Sequence, residues 1–242
     1  DGRRPPGNSR MIVFQKVSKI FPDGTKALEQ VSFQIKKSEF VFFIGPSGAG
    51  KTTIMKLLRR EILASEGTVI IKDKNLIELE NKEVPFLRRQ VTMCFQDFKL
   101  LSDRTVYENI ALSLEISGLE GAEVEKRVTE VLINVGLGKK GDFFPLQLSG
   151  GELQRVGIAR AIVSKPEILL ADEPTGNLDP KSAFEILKLF KEINLSGTTV
   201  LVATHNVELV NKFEERVIAL SNGKIVNDTT KGKYEISSKL KK

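Results

Sequence analysis

No apolar run in the chain approaches the roughly 18 residues that cross a bilayer. The longest candidates, such as Phe40–Ile44 and Ile168–Ala171, are short. Any work at a membrane is therefore expected to go through a partner. Cys94 is the only cysteine, so there is no intramolecular disulfide to staple the fold, which fits a reducing cytoplasm. There is no internal repeat, and the 19 Gly and 9 Pro are dispersed. With 40% hydrophobic and 28% charged residues, this excludes collagen-like, disordered and low-complexity classes. Asp1–Arg10 lacks the apolar core of a signal peptide and precedes the first methionine, Met11; it reads as a tail, a possible cloning remnant, and secretion is not expected. What is present is a soluble globular chain of 242 residues, enough for one large domain or two small ones.

The formal charge is +6, which at first sight invites a nucleic acid or an anionic membrane. Its distribution says otherwise. Arg3, Arg4 and Arg10 against Asp1 give +2 at the N-terminus, and five lysines against Glu235 give +4 over 231–242. Residues 11–230 are formally neutral, so no nucleic acid is expected as partner. The basic C-terminal tail has two readings, contact with an anionic leaflet or simple solvation.

From Met11 the pattern predicts short strands at Ile12–Phe14, Val31–Ile35 and Phe40–Ile44. The last is continuously apolar and implies a parallel sheet buried on both faces. A helix is expected over Thr52–Leu63, then strands at Gly67–Ile71 and Val91–Phe95. Between about Leu100 and Leu148 the strand signal disappears. Val106–Ile116 and Ala122–Val135 read as helices, the second with Val124, Val128, Val131, Leu132 and Val135 on one face. This predicts an inserted helical lobe. After Pro166 the alternation returns as Ile168–Ala171, Ser182–Ile193, Thr198–Ala203, Val207–Phe213 and Arg216–Leu220.

The chemistry starts at Gly45-Pro46-Ser47-Gly48-Ala49-Gly50-Lys51-Thr52, a G-x-x-x-x-G-K-[ST] loop that follows a buried strand and precedes a helix. Glycines at 45, 48 and 50 let successive N–H groups turn inward on phosphate oxygens. The helix that follows, through Thr53, presents its positive end to the same anion. Lys51 supplies an ammonium for the β- and γ-phosphates and Thr52 a hydroxyl for Mg²⁺. ATP with Mg²⁺ is the expected ligand pair. A glycine-rich turn that merely caps a helix would not need the Lys-Thr pair.

Ile168-Leu-Leu-Ala-Asp172-Glu173 is an apolar strand that ends in two carboxylates. Burying both without partners would cost several kcal/mol, so a compensating cation is expected. Asp172 would reach Mg²⁺, and Glu173 would orient and activate the attacking water. A solvated acidic pair would be the plainer reading if the phosphate loop were absent.

Leu148-Ser149-Gly150-Gly151-Glu152, followed by Gln154-Arg155, resembles the signature of ATP-binding cassette (ABC) ATPases and falls between the two preceding motifs, where that family carries it. Ser149, Gly150 and Gly151 open a helix expected at Glu152–Val163, a second anion-accepting helix start. The resemblance covers Met11 to about Lys224. It implies a P-loop ABC ATPase core of mixed α/β type, with an antiparallel β subdomain and a helical subdomain at about 97–165, in one domain over 11–230. It implies an ATP-dependent head-to-tail homodimer that holds two nucleotides between the phosphate loop of one copy and the signature of the other. Gln96 matches the Q-loop glutamine that senses Mg²⁺ and the γ-phosphate. Asp179, in Gly176-Asn-Leu-Asp179, matches the D-loop that contacts the other subunit and its nucleotide. His205 matches the switch histidine at the γ-phosphate, and Asn206 stands where Asp is common. Phe21 holds the position of an aromatic that stacks on adenine, and it reads equally well as a core residue.

Within the family, Phe95–Leu101, Asp103–Asn109, Phe144–Gln147 and Gln154–Arg160 are similar to the bacterial cell-division ATPases. That likeness implies an FtsX-type membrane permease as partner, a place on the cytoplasmic face of the inner membrane, and control of peptidoglycan hydrolases beyond it. Phe98, Leu100 and Leu101 would form the apolar patch for the permease, or fold back on the helical lobe. Two other readings stand beside this one: an ATPase of a lipoprotein-release or macrolide-export system, and an ATP-dependent dimerisation switch with little turnover. DNA-repair members of the family are excluded, because the 52 positions from Gln96 to Leu148 leave no room for their coiled-coil arm.

Overall fold

The computed structural model describes residues 10–230. The tails expected at 1–10 and 231–242 therefore lie outside the described residues, except for Arg10. The strand β3 (Phe40–Ile44) has all five side chains buried. A strand this apolar needs cover on both faces, and it lies between β8 (Thr199–Thr204) and β9 (Arg216–Ser221), parallel to each. Beyond β8 come β7 (Ile168–Asp172) and β6 (Val91–Cys94), also parallel, while β10 (Lys224–Thr229) closes the far edge antiparallel to β9. The order is β10-β9-β3-β8-β7-β6.

Register decides where chemistry can occur. Ile44 pairs with Thr204, Asp172 with Ala203 and Cys94 with Ala171, so the carboxyl ends of four parallel strands finish level. The residues just past those ends are Gly45, Glu173, His205 and the segment leading to Gln96. Ligands of open parallel sheets bind at that edge.

A second, antiparallel sheet is built from β1 (Arg10–Ile20), β2 (Lys26–Lys36), β4 (Glu66–Ile71) and β5 (Lys74–Asn75), in the order β2-β1-β4-β5. Helix α1 (Lys51–Leu58) lies in the core between the two sheets. There Val41 and Phe43 of β3 meet Phe14, Phe33, Ile54 and Met55, with Phe14 and Phe33 stacked at 4.4 Å. Phe40, Phe42 and Ile44 point to the opposite face. They join α6 (Pro180–Leu195), α5 (Gly150–Ile162), α3 (Val106–Glu115) and α4 (Gly121–Asn134) through Phe190, Val156, Ile110 and Val128. The three predicted helical segments between β6 and β7 thus share one core with the sheet's second face. Among the described residues no helix is long and apolar enough to cross a membrane.

Several bounds differ from expectation. Helix α1 stops at Leu58, not Leu63, because Arg60 turns left-handed (φ 53°) and its guanidinium donates to the Leu76 and Leu79 carbonyls. The signature helix begins at Gly150, two residues before the expected start. The segment expected to be helical over Val207–Phe213 forms only a single turn, α7 (Val207–Val210). Three short elements had no strong pattern: β5, β10 and α2 (Val84–Gln90).

Candidate active site

The loop from Gly45 to Gly50 is shaped by backbone that side chains would obstruct. A Cβ on Gly45 would stand 2.3 Å from the Leu220 carbonyl oxygen, and one on Gly50 would stand 2.7 Å from the Ala27 carbonyl oxygen, with φ at 105°. Ala49 is buried, whereas Pro46, Ser47 and Gly48 are exposed at the rim. Gly50 caps α1 with no side-chain bond of its own, so the first N–H groups of that helix face the loop. Thr53 is buried inside the helix, and Thr52 is exposed.

Lys51 is buried. Its ammonium donates to the Gly45 carbonyl at 2.7 Å and the Pro46 carbonyl at 3.1 Å, and lies 3.5 Å from Glu173 Oε1. The other oxygen of Glu173, Oε2, accepts from His205 Nδ1 at 2.9 Å. Because an ionised carboxylate only accepts, the ring nitrogen that faces it carries the proton. Lys51, Glu173 and His205 thus form one chain of contacts across the ends of β3, β7 and β8. The sequence expectation of two unpaired carboxylates needs correction here: Glu173 has two cationic or donor partners.

Asp172 is the carboxylate with an oxygen left over. Its Oδ1 is buried with no hydrogen-bond partner. Desolvation raises its pKa above the usual carboxylate range, the neighbouring Glu173 adds to the rise, and the Thr52 hydroxyl and Lys51 oppose it. An orphaned carboxylate oxygen beside a Thr hydroxyl suits a hard divalent cation. Among the described residues no three His, Cys, Asp or Glu are grouped to hold a metal. An ion at Asp172 and Thr52 would therefore draw most of its oxygens from water and phosphate.

Glu173 carries strain that its sequence did not announce. Its φ is 47°, a conformation costly for a long side chain. The Glu173 N–H donates to the Ala203 carbonyl at 2.9 Å, and the Gly176 N–H donates to the Glu173 carbonyl, so the turn is held from both sides. Gln96 is exposed past the end of β6. Its amide nitrogen lies 3.6 Å from where a Cβ on Gly176 would stand, beside the Glu173 turn.

The signature residues occupy a separate corner. Ser149 caps α5 by a reciprocal box: its hydroxyl accepts from the Glu152 N–H, and its own N–H and hydroxyl donate to Glu152 Oε2. Cβ atoms on Gly150 and Gly151 would meet Leu178 and Ser182, so this turn packs against the start of α6. Asp179 is the cap of that helix, accepting from the Lys181 and Ser182 N–H groups at 3.0 Å each. Among the described residues no hydrogen bond or ion pair joins Ser149, Gly150, Gly151 or Asp179 to Lys51, Glu173 or His205. Phe21 lies in neither hydrophobic core. It is half-buried on the turn between β1 and β2, with Lys19 over its ring.

These features can be compared with known proteins. The sequence model of the family "ABC transporter" matches residues 28–176. The chain belongs to the ABC transporter family. The cell division ATP-binding protein FtsE of Bacillus subtilis is 50% identical over 224 residues, 93% of this chain and 98% of that protein. FtsE of Escherichia coli K12 is 50% identical over 213 residues, 88% and 96% of the two chains. A solved dimeric post-hydrolysis state of the ATP-binding cassette MJ0796, bound to ADP and Pi, superposes with a TM-score of 0.81 at 36% identity, covering 91% of this chain and 98% of that one. This ABC cassette is an ATP-hydrolysing enzyme.

Sequence reading missed the contacts that three polar residues make around the Gln96 segment. Gln154 is buried and donates to Cys94 Sγ at 3.1 Å; burial pushes that thiol up to about 12. Arg160 donates to the Phe98 and Lys99 carbonyls. Asn109 holds the Leu101–Thr105 turn with four bonds. The available signal was an arginine and a glutamine inside the small and apolar run of α5, where solvent-facing residues were not expected. The apolar patch resolves unevenly: Leu100 packs on the core, Phe98 is half-buried and Leu101 is 42% exposed.

Proposed function

We propose that this chain is the ATPase subunit of a bacterial cell-division ABC complex, working on a membrane permease of the FtsX type from the cytoplasmic face. The half-identical FtsE proteins, matched over nearly their full length, support the cell-division assignment over lipoprotein release or export. One ABC ATPase domain spans 11–230, with its helical subdomain at about 97–165.

The observation that carries the chemistry is the Glu173 carboxylate, poised one residue past the orphaned Asp172 oxygen and held by Lys51 and His205. Lys51 transfers its ammonium from the Gly45 and Pro46 carbonyls to the β- and γ-phosphates of ATP. Freed of Lys51, Glu173 orients the attacking water and takes up its proton. His205, largely exposed at the end of β8, turns from Glu173 to the γ-phosphate. Asp172, Thr52 and Gln96 would hold Mg²⁺, which would supply neutralisation of the phosphate charge. The work is positioning and electrostatic stabilisation rather than covalent chemistry.

Ser149, Gly150, Gly151 and Asp179 serve a second copy. Their separation from the Lys51–Glu173–His205 chain supports a head-to-tail dimer in which they close on the partner's nucleotide, and Phe21 stacks on adenine at the rim. Lys51→Ala is expected to reduce Mg²⁺-dependent phosphate release by at least about 100-fold, since it removes the charge that meets the transferred group. Undiminished release in that variant would overturn the site.

A further inference from the structure

The segment after Gln96 is held in a conformation it would not keep by itself. Phe98 and Lys99 are consecutive non-glycine residues in the left-handed region, with φ of 54° and 46°. Such torsions persist only where the surroundings over-determine them. Local contacts contribute, the Phe98 N–H donating to the Phe95 carbonyl, the Lys99 N–H to the Asp97 carbonyl and the Lys99 ammonium lying over the Phe95 ring, but the one tie from outside the loop is a guanidinium. Arg160, in the last turn of α5, donates from one terminal nitrogen to the Phe98 carbonyl at 2.6 Å and from the other to the Lys99 carbonyl at 2.7 Å. Among the described residues Arg160 forms no ion pair with a carboxylate, and its hydrogen bonds go to those two carbonyls. The planar fork fits two adjacent acceptors in a way that an ammonium cannot.

The same helix grips the chain on the other side of Gln96. Gln154 reaches Cys94 at the end of β6, and Arg160 reaches Phe98 and Lys99, so α5 brackets Gln96 from both sides. Its opposite end is the Ser149 cap, ten residues and about 15 Å of rigid helix from Gly150 to Arg160. We propose that Arg160 is a positioning residue for ATP hydrolysis. It fixes the Gln96 loop by clamping two strained carbonyls, and through α5 it ties the placement of Gln96 to the position of the signature turn. This rests on the reading of Gln96 as a contact of the metal and γ-phosphate.

The test is steady-state ATPase activity of the full chain for Gln96→Ala, Arg160→Lys and the double variant, with melting temperatures recorded. Gln96→Ala is expected to lower kcat at least 10-fold; wild-type kcat in that variant would overturn the reading of Gln96 itself. Arg160→Lys keeps the charge but reaches only one carbonyl. It is expected to lower kcat about 10-fold with the KM for ATP within about 2-fold, and to lower it less than 2-fold further when Gln96 is already Ala. If Gln96→Ala is impaired while Arg160→Lys has wild-type kcat, or if the two losses multiply, the proposal is overturned. Lys99→Pro breaks the loop conformation without touching α5, so it remains informative if Arg160→Lys does not fold. It is expected to reproduce the kcat loss and its dependence on Gln96, and unchanged kcat there would equally overturn the proposal.

Discussion

Asp172 sets a price in stability for chemistry at the end of β7. Desolvation, with Glu173 beside it, makes the ionised form unfavourable in the fold, so its pKa is raised relative to the unfolded chain. The sign follows from linkage. Above the ordinary carboxylate range the unfolded chain ionises more readily than the folded one, and folding loses stability that it retains at acid pH. Asp172→Asn is therefore expected to raise the melting temperature of the nucleotide-free protein at pH 7 by a few degrees at most. The gain should vanish at a pH where the carboxyl is protonated in both states, while Mg²⁺-dependent turnover is lost. A melting temperature that falls at pH 7 would mean that the carboxylate is satisfied in solution. Lys51, Thr52 and Asp172 were legible in the sequence because spacing and an apolar strand announce them. The left-handed φ of Glu173 was not, because Glu has no intrinsic preference for it; the Ala203 and Gly176 bonds that impose it come from neighbours in space and from the following turn.

At the scale of elements, local patterns predicted what local forces decide. The β3 run is uniformly apolar because both faces are covered, and the α4 stripe has one buried face, so each could be read from its own residues. The continuation of α1 to Leu63 failed because apolar Ile62 and Leu63 suggested a helix that Arg60 ends by bonding to carbonyls 16 and 19 positions away. Elements fixed by side-chain-to-backbone bonds are silent in pattern. Asn109 is the strongest case. It is 1% exposed, its Oδ1 accepts from the Leu101 N–H, and the two hydrogens on its Nδ2 are shared among the carbonyls of Leu101, Arg104 and Thr105. Thr105 and Glu108 build a capping box on the same turn. Replacing Asn109 by Ala strands several buried backbone groups and is expected to cost about 2–4 kcal/mol of unfolding free energy in urea denaturation. A cost below about 0.5 kcal/mol would mean that water takes over all of these bonds.

At the scale of the whole molecule, the charge and the site separate cleanly. The basic excess belongs to the two ends of the sequence, and residues 11–230 are formally neutral, so the ATPase body has no net charge with which to attract a polyanion over long range. What it does have is two helix starts, at α1 and α5, that no hydrogen bond or ion pair among the described residues connects. In the proposed dimer a nucleotide that bridges two copies would join them by mass action, and the bridge would last as long as ATP is uncleaved. Glu173→Gln removes the proposed base while keeping the size of the side chain and an acceptor for His205. It is expected to stop phosphate release and to shift the chain from monomer to dimer in light scattering when ATP and Mg²⁺ are added. Lys51→Ala should remain monomeric under the same conditions, because the phosphates lose their ammonium before the second copy can close. If Glu173→Gln stays monomeric at saturating ATP, the separated signature corner serves something other than a second copy. If it dimerises and a strain carrying it still divides, closure alone transmits the signal and hydrolysis serves only to reset it.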